Sequence, residues 1–146
     1  MNPKRWSAHA VSITLLSLAL LAASFPALAK SREKALTETL LAYAATIRWG
    51  SFEQAESFVS PEYREEHPLT PLELERFKQV RITEYTDTAP MPVNEDEVRH
   101  TVEIGLVNVN TQESRTIVDR QVWIYDKESK LWLLHSGLPD ITQRSN

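Results

Sequence analysis

The feature that most constrains this chain is a change of hydrophobic period near residue 80. Before it, apolar residues recur every three to four positions; after it, they alternate. Leu36, Leu40, Tyr43, Ala44 and Ile47 lie at helical spacing, and Gly50 follows Arg48 and Trp49 as a C-terminal stop. Ser31 reads as the cap of that helix, with Glu33 in its first turn. Ser51-Phe52-Glu53-Gln54 and Thr70-Pro71-Leu72-Glu73 are capping boxes, each predicting a helix start. The first opens an apolar stripe of Phe52, Ala55, Phe58 and Val59 that Pro61 stops, with a short turn through Tyr63. The second carries Pro at its first helical position and ends near Lys78.

The second half reads as strands: Val80 to Thr88, Val98 to Val109, Thr116 to Asp126 and Leu131 to Ser136. Ala89 to Asp96 holds Pro90 and Pro92 and reads as an irregular connection. Asn110 to Ser114 and Lys127 to Lys130 read as turns. Gly137 and Pro139 close the last strand, and a loose tail is expected after them. Helices gathered before an antiparallel meander predict an α+β fold. The N-terminal helices are expected to pack on a strongly curved antiparallel sheet of about four strands.

One sheet face must carry the core, so register follows from parity. A turn at Asn110 to Ser114 pairs Ile104 with Arg120, Leu106 with Val118 and Val102 with Val122, keeping the even-numbered apolar residues together. The same face puts Ile124 opposite Leu134, with Trp132 nearby. The odd set is also partly apolar: Ile117, Trp123, Tyr125, Leu131, Leu133 and His135. Both faces are therefore expected to be covered, one by helices and the other either by a second subunit or by the C-terminal tail.

The first 29 residues read as an address. Lys4 and Arg5 precede a run of apolar and small residues, Pro26 breaks it, and Ala27-Leu28-Ala29 has the small-x-small form of a signal-peptidase site. Cleavage after Ala29 is expected, the alternative being an uncleaved anchor, for which the run is short. Residues 30–146 then form one α+β domain of 117 residues, periplasmic or secreted. Lys4 and Arg5 leave with the removed segment and no acid does. Fourteen basic and twenty acidic residues remain, a net charge of −6. That balance argues against nucleic acid as a partner. No stable membrane span is expected after cleavage. The absence of Cys excludes a disulfide framework, a thiolate metal site and a cysteine nucleophile.

The order of elements resembles the nuclear-transport-factor-2-like, or SnoaL-like, superfamily. The likeness rests on the helix Leu36 to Trp49, the break Trp49-Gly50-Ser51 and the helix Phe52 to Phe58 ending at Ser60-Pro61. It continues in the closing hairpin, Val122-Trp123-Ile124-Tyr125-Asp126 and Leu131-Trp132-Leu133-Leu134. The resemblance covers nearly all of residues 30–146 as a pattern of elements. It implies a cone-like, cystatin-like roll with a pocket between helices and sheet, and a homodimer through the outer sheet face. The superfamily holds isomerases, dehydratases and cyclases beside non-catalytic binding domains, so the fold does not give the function.

Arg120, on the strand face assigned to the core, is a candidate ligand for an anionic group in the pocket or a structural ion-pair partner. His100, Trp132 and Tyr43 are the other ligand-binding candidates. Trp123, Tyr125 and Leu133 are candidates for an interface. Asp119, Glu103 and Asp87 are the strand carboxylates available to an isomerase, but none has the parity of Ile104 and Leu106, which counts against a catalytic set unless the faces are reversed. No catalytic residue is assigned. His67, His100 and His135 are widely spaced, so no metal site is expected. With no glycine-rich phosphate loop, no cofactor is expected either. The reading is an exported, non-enzymatic domain of the bacterial envelope that binds a small apolar ligand or another envelope protein. The alternatives are an isomerase- or dehydratase-type enzyme using a pocket acid–base residue, and a structural subunit of an envelope assembly.

Overall fold

The computed structural model describes residues 24–143. Helix α1 spans Ser24–Trp49. It already runs through Ala27-Leu28-Ala29-Lys30, good helix formers, before it reaches Ser31. Ser31 is thus interior to the helix, not its cap. The start of the expected address segment lies outside the described residues. No helix among the described residues is long and apolar enough to cross a membrane. The chain divides inside α1, between Thr37 and Glu38, into two units. The rest of this description concerns the second, from Glu38 onward.

Both capping boxes form. The Gln54 amide donates to Ser51 Oγ (3.2 Å) and the Ser51 amide to Gln54 Oε1 (3.0 Å), opening α2, Phe52–Ala55. A 3₁₀ turn, Glu56–Phe58, follows, so this helix is shorter than its apolar stripe suggests. The Ser60 hydroxyl caps α3, Pro61–Glu66. Thr70 and Glu73 satisfy each other at the start of α4, Pro71–Phe77. Phe52 of α2 stacks on Phe77 of α4 with centroids 4.0 Å apart.

The strands are β1 Val80–Asp87, β2 Met91–Pro92, β3 Glu97–Asn108, β4 Ser114–Asp126 and β5 Leu131–Leu134. They form one strongly curled antiparallel sheet in the order β1-β3-β4-β5, with the two-residue β2 also on β3. The fold is α+β, as the period change predicts.

The register corrects the expected pairing. Ile104 faces Ile117, not Arg120; Leu106 faces Arg115, and Val102 faces Asp119. The turn closes early because the Asn108 side-chain oxygen accepts the amides of Asn110 (2.8 Å) and Thr111 (3.1 Å), and Gln112 takes a left-handed φ of 62°. Glu113 and Ser114 consequently lie beside β3 rather than in the turn: the Asn108 amide donates to the Glu113 carbonyl, and Val107 pairs with Ser114. The slip is three residues, an odd number, so it exchanges the faces of β4. The buried set is Ile117, Asp119, Gln121 and Trp123 on β4, facing Val98, His100, Val102, Ile104 and Leu106 on β3. In the last hairpin Trp123 pairs with Leu134 and Tyr125 with Trp132, again opposite to expectation.

The tail expected to be loose instead runs beside β4 where β5 does not reach. The Val122 amide donates to Ser136 Oγ (3.2 Å) and the Val118 amide to Gln143 Oε1 (3.3 Å). The Arg115 guanidinium donates to the Ile141 carbonyl, and Ile141 is buried. The tail therefore covers donors that an open edge would expose. Gly137 turns the chain into it at φ 74°, and a Cβ there would lie 2.6 Å from Tyr63 Cε1. Gly137→Ala is expected to destabilise the fold by at least about 1–2 kcal/mol from the backbone alone. Thermal unfolding of Gly137→Ala and of Gly137→Ala with Tyr63→Ala checks this, the second relieving only the side-chain clash.

Candidate functional site

The exchange of faces brings a polar cluster into an apolar core. Tyr43, buried on α1, meets Trp123 edge-on (centroids 5.2 Å, 80°) and Phe58 likewise (5.4 Å, 72°). Below these rings lie Asp119 and Gln121 from β4, His100 from β3 and Tyr85 from β1. Tyr85 pairs with Ile104, which puts it on this face after the irregularity between Ile82 and Glu84.

Gln121 is the hub. Trp123 Nε1–H donates to its Oε1 (2.9 Å), while its Nε2 donates to Asp119 Oδ2 (2.8 Å) and to the Tyr85 hydroxyl (3.3 Å). An indole nitrogen only donates, so Trp123 determines which end of the amide is oxygen. His100 Nδ1 lies 3.2 Å from that same Oε1; its Nε2 lies 3.0 Å from the Thr88 carbonyl and 3.3 Å from Asp87 Oδ2. The Tyr43 hydroxyl is fully enclosed and has no hydrogen-bond partner among the described residues.

Burial pushes the Asp119 carboxyl up to about 6, against the opposing pulls of the Gln121 hydrogen bond and the His100 charge. Burial raises Tyr85 to about 12, with the Gln121 bond opposing and the Asp119 and Asp87 charges adding. Tyr43 is raised too, first by burial and then by Asp119 and Tyr85. Asp119 is therefore near enough for its charge to act on Tyr43. A carboxyl held near neutrality beside two phenols is suited to binding a hydroxyl or carbonyl group and to moving a proton.

Of the residues singled out in the sequence, Tyr43 and His100 come together here. Trp132 is buried nearby in β5, its ring 5.4 Å from that of Tyr125. Arg120 does not join them. It pairs with Thr101 on the opposite face and is exposed, because the odd register slip turned it outward. Trp123 is fully buried in the core, so it is not a surface anchor; Tyr125 and Leu133 are half-buried. Asp119, which the sequence parity sets apart from Ile104 and Leu106, shares their buried face through the register slip. Gln121 and Tyr85 were missed. The signal for Gln121 was the odd-numbered series Ile117, Asp119, Gln121, Trp123, which reads as a core strand interrupted by two polar groups.

Leu133 and Ile124 form part of a groove of about 620 Å³ on the outer face, walled by Pro61 and Arg64 of α3. Among the described residues, no group of three or more His, Asp and Glu is placed to hold a metal ion. Compared with protein-family models, curated proteins and solved structures, the chain matches none.

Proposed function

We propose that this chain is an exported binding domain of the bacterial envelope, of nuclear-transport-factor-2-like architecture. Its interior holds a small, largely apolar molecule by one hydroxyl or carbonyl group. The observation that carries the reading is the enclosed, unpartnered Tyr43 hydroxyl beside Asp119. A buried polar group without a partner costs about 1–3 kcal/mol, so its retention calls for a role. Tyr43 is held edge-on between Trp123 and Phe58, and Tyr43 and Asp119 would supply the molecule's donor and acceptor.

Native mass spectrometry of the protein purified from its source cells tests this. A bound small molecule is expected in the wild type and absent from Tyr43→Phe, and the intact mass reports whether residues 1–29 have been removed. Without ligand, Tyr43→Phe is expected to be as stable as the wild type or up to about 1 kcal/mol more stable, since it deletes only an unpaired hydroxyl. A ligand-free wild type, with Tyr43→Phe less stable by urea unfolding, sinks the proposal.

One observation favours a second reading, an isomerase-type enzyme. The enclosed face carries a carboxyl near neutrality beside phenols, the pairing that proton transfer next to a carbonyl needs. Under this reading Asp119→Asn keeps the bound molecule and abolishes its turnover.

A further inference from the structure

We propose that the groove on the outer face binds a free fatty acid, a monocarboxylate with an unbranched aliphatic chain. The groove is a trough with a sheet floor and a helical wall. Ile124 and Leu133, paired across β4 and β5, sit side by side at its centre. Leu131 extends the floor toward the turn at Lys127 to Lys130 and is 56 % exposed. His135 ends the floor on the other side, where its amide donates to the Val122 carbonyl (2.8 Å). Leu131, Leu133 and His135 are two residues apart, so they share one face. At about 3.3 Å per residue this floor is about 13 Å long, room for an alkyl chain laid along the strand. The groove's volume, about 620 Å³, lies within the range of small-molecule sites, about 300–1,000 Å³.

The wall is anchored to the sheet edge. Val59 bridges Leu134 in parallel, and the Ser60 amide donates to the Leu134 carbonyl at 2.9 Å. Ser60 is thereby fixed next to His135. Pro61 and Arg64, three residues apart on α3, share the helix face that closes the groove there. The Arg64 guanidinium has no hydrogen bond or ion pair among the described residues, nor has the His135 ring. Two carboxylates also line the groove. Asp126, at the opposite end, is committed to the amides of Glu128 (3.3 Å) and Ser129 (2.9 Å), and these bonds hold its pKa down. Glu62 is two residues from Arg64, so the helix turns the two to different sides. The groove is therefore apolar along its floor and carries a free cation at one end. A carboxylate head meets Arg64 and a ring N–H of His135, and its chain lies over Leu133, Ile124 and Leu131. Gln121 and Trp123 point to the other side of β4, so this site is separate from the interior one and does not rest on it.

Calorimetric titration with dodecanoate, below the concentration at which it forms micelles, tests this, and amide NMR locates the acid. Saturable uptake of one molecule per chain is expected, with shifts at the amides of Ile124, Leu131, Leu133 and His135. Arg64→Gln is expected to weaken uptake about tenfold, the loss of one charge-assisted contact. Leu133→Asp, which sets a carboxylate on the floor, is expected to abolish it; should that variant unfold, Arg64→Gln on the exposed helix carries the test. Dodecyltrimethylammonium, the same chain with a cationic head, is expected to bind the wild type at least about tenfold more weakly than dodecanoate. Tyr43→Phe is expected to take up dodecanoate as the wild type does. Absence of saturable uptake overturns the proposal, as does equal binding of the two amphiphiles or equal uptake by the wild type and Arg64→Gln. Uptake lost in Tyr43→Phe but kept in Arg64→Gln overturns it too, because the acid then occupies the interior.

Discussion

Lowering the pH from about 7 to about 4 is expected to strengthen the fold by about 3 kcal/mol through Asp119. Burial lifts its carboxyl to about 6 in the folded chain, against an ordinary 3.8. A group whose folded value lies above its unfolded one contributes stability that is complete below the unfolded value and is lost as pH rises through the folded one. The loss therefore falls between about pH 4 and about pH 6 and levels off above. Glu73 and Asp126 act in the opposite sense. Hydrogen bonds at Thr70 and Ser129 lower them, so their small exposed contributions are present at neutral pH and fade as pH falls. Asp119→Asn isolates the buried group, because its amide stays neutral throughout and still accepts from Gln121. Urea unfolding of both proteins across this range is expected to show near-equal stability at about pH 4. By about pH 7 the variant should be ahead by about 3 kcal/mol. A difference that does not change with pH would remove Asp119 as a buried, proton-binding group.

Trp123→Ala is expected to cost about 3–5 kcal/mol, much of the stability of a domain this size. Trp123 is fully buried, supports Tyr43 edge-on, and supplies the hydrogen that orients Gln121. Truncation opens a cavity and leaves a buried acceptor short of a donor. Leu133→Ala, one pair away on the opposite face and half-buried, is expected to cost only about 1 kcal/mol. Equilibrium unfolding in urea measures both. The comparison also tests the faces: had β4 paired as the polar run at Asn110 suggests, Trp123 would lie on the outer face and its truncation would be the mild one.

The helix starts at Ser51 and Thr70 were legible because they are local, whereas that of α1 was not. Ser51 with Gln54, and Thr70 with Glu73, satisfy amides three residues away, and no distant part of the chain alters that geometry. The four longer strands were legible through β-branched alternation, but the two-residue β2, inside the connection read as irregular, was not. The candidate site was legible only in its members. Tyr43 and His100 stood out by position and chemistry. Asp119 stood out too, but its place depended on the length of one turn, and there the Asn108 side chain recruits two amides that the polar run from Asn110 to Ser114 does not advertise.

By itself the sequence determined the α+β class, the order of the elements and their approximate ends, because periodicity and capping act within a few residues. Tertiary structure alone decided which side of β4 faces the helices. Two registers three residues apart both bury apolar side chains, even-numbered in one and odd-numbered in the other, so alternation leaves them nearly balanced. The choice falls to interactions across the chain: Trp123 against Tyr43, Gln121 between Asp119 and His100, and the tail beside β4. These same interactions put a carboxyl, an imidazole and two phenols inside the core.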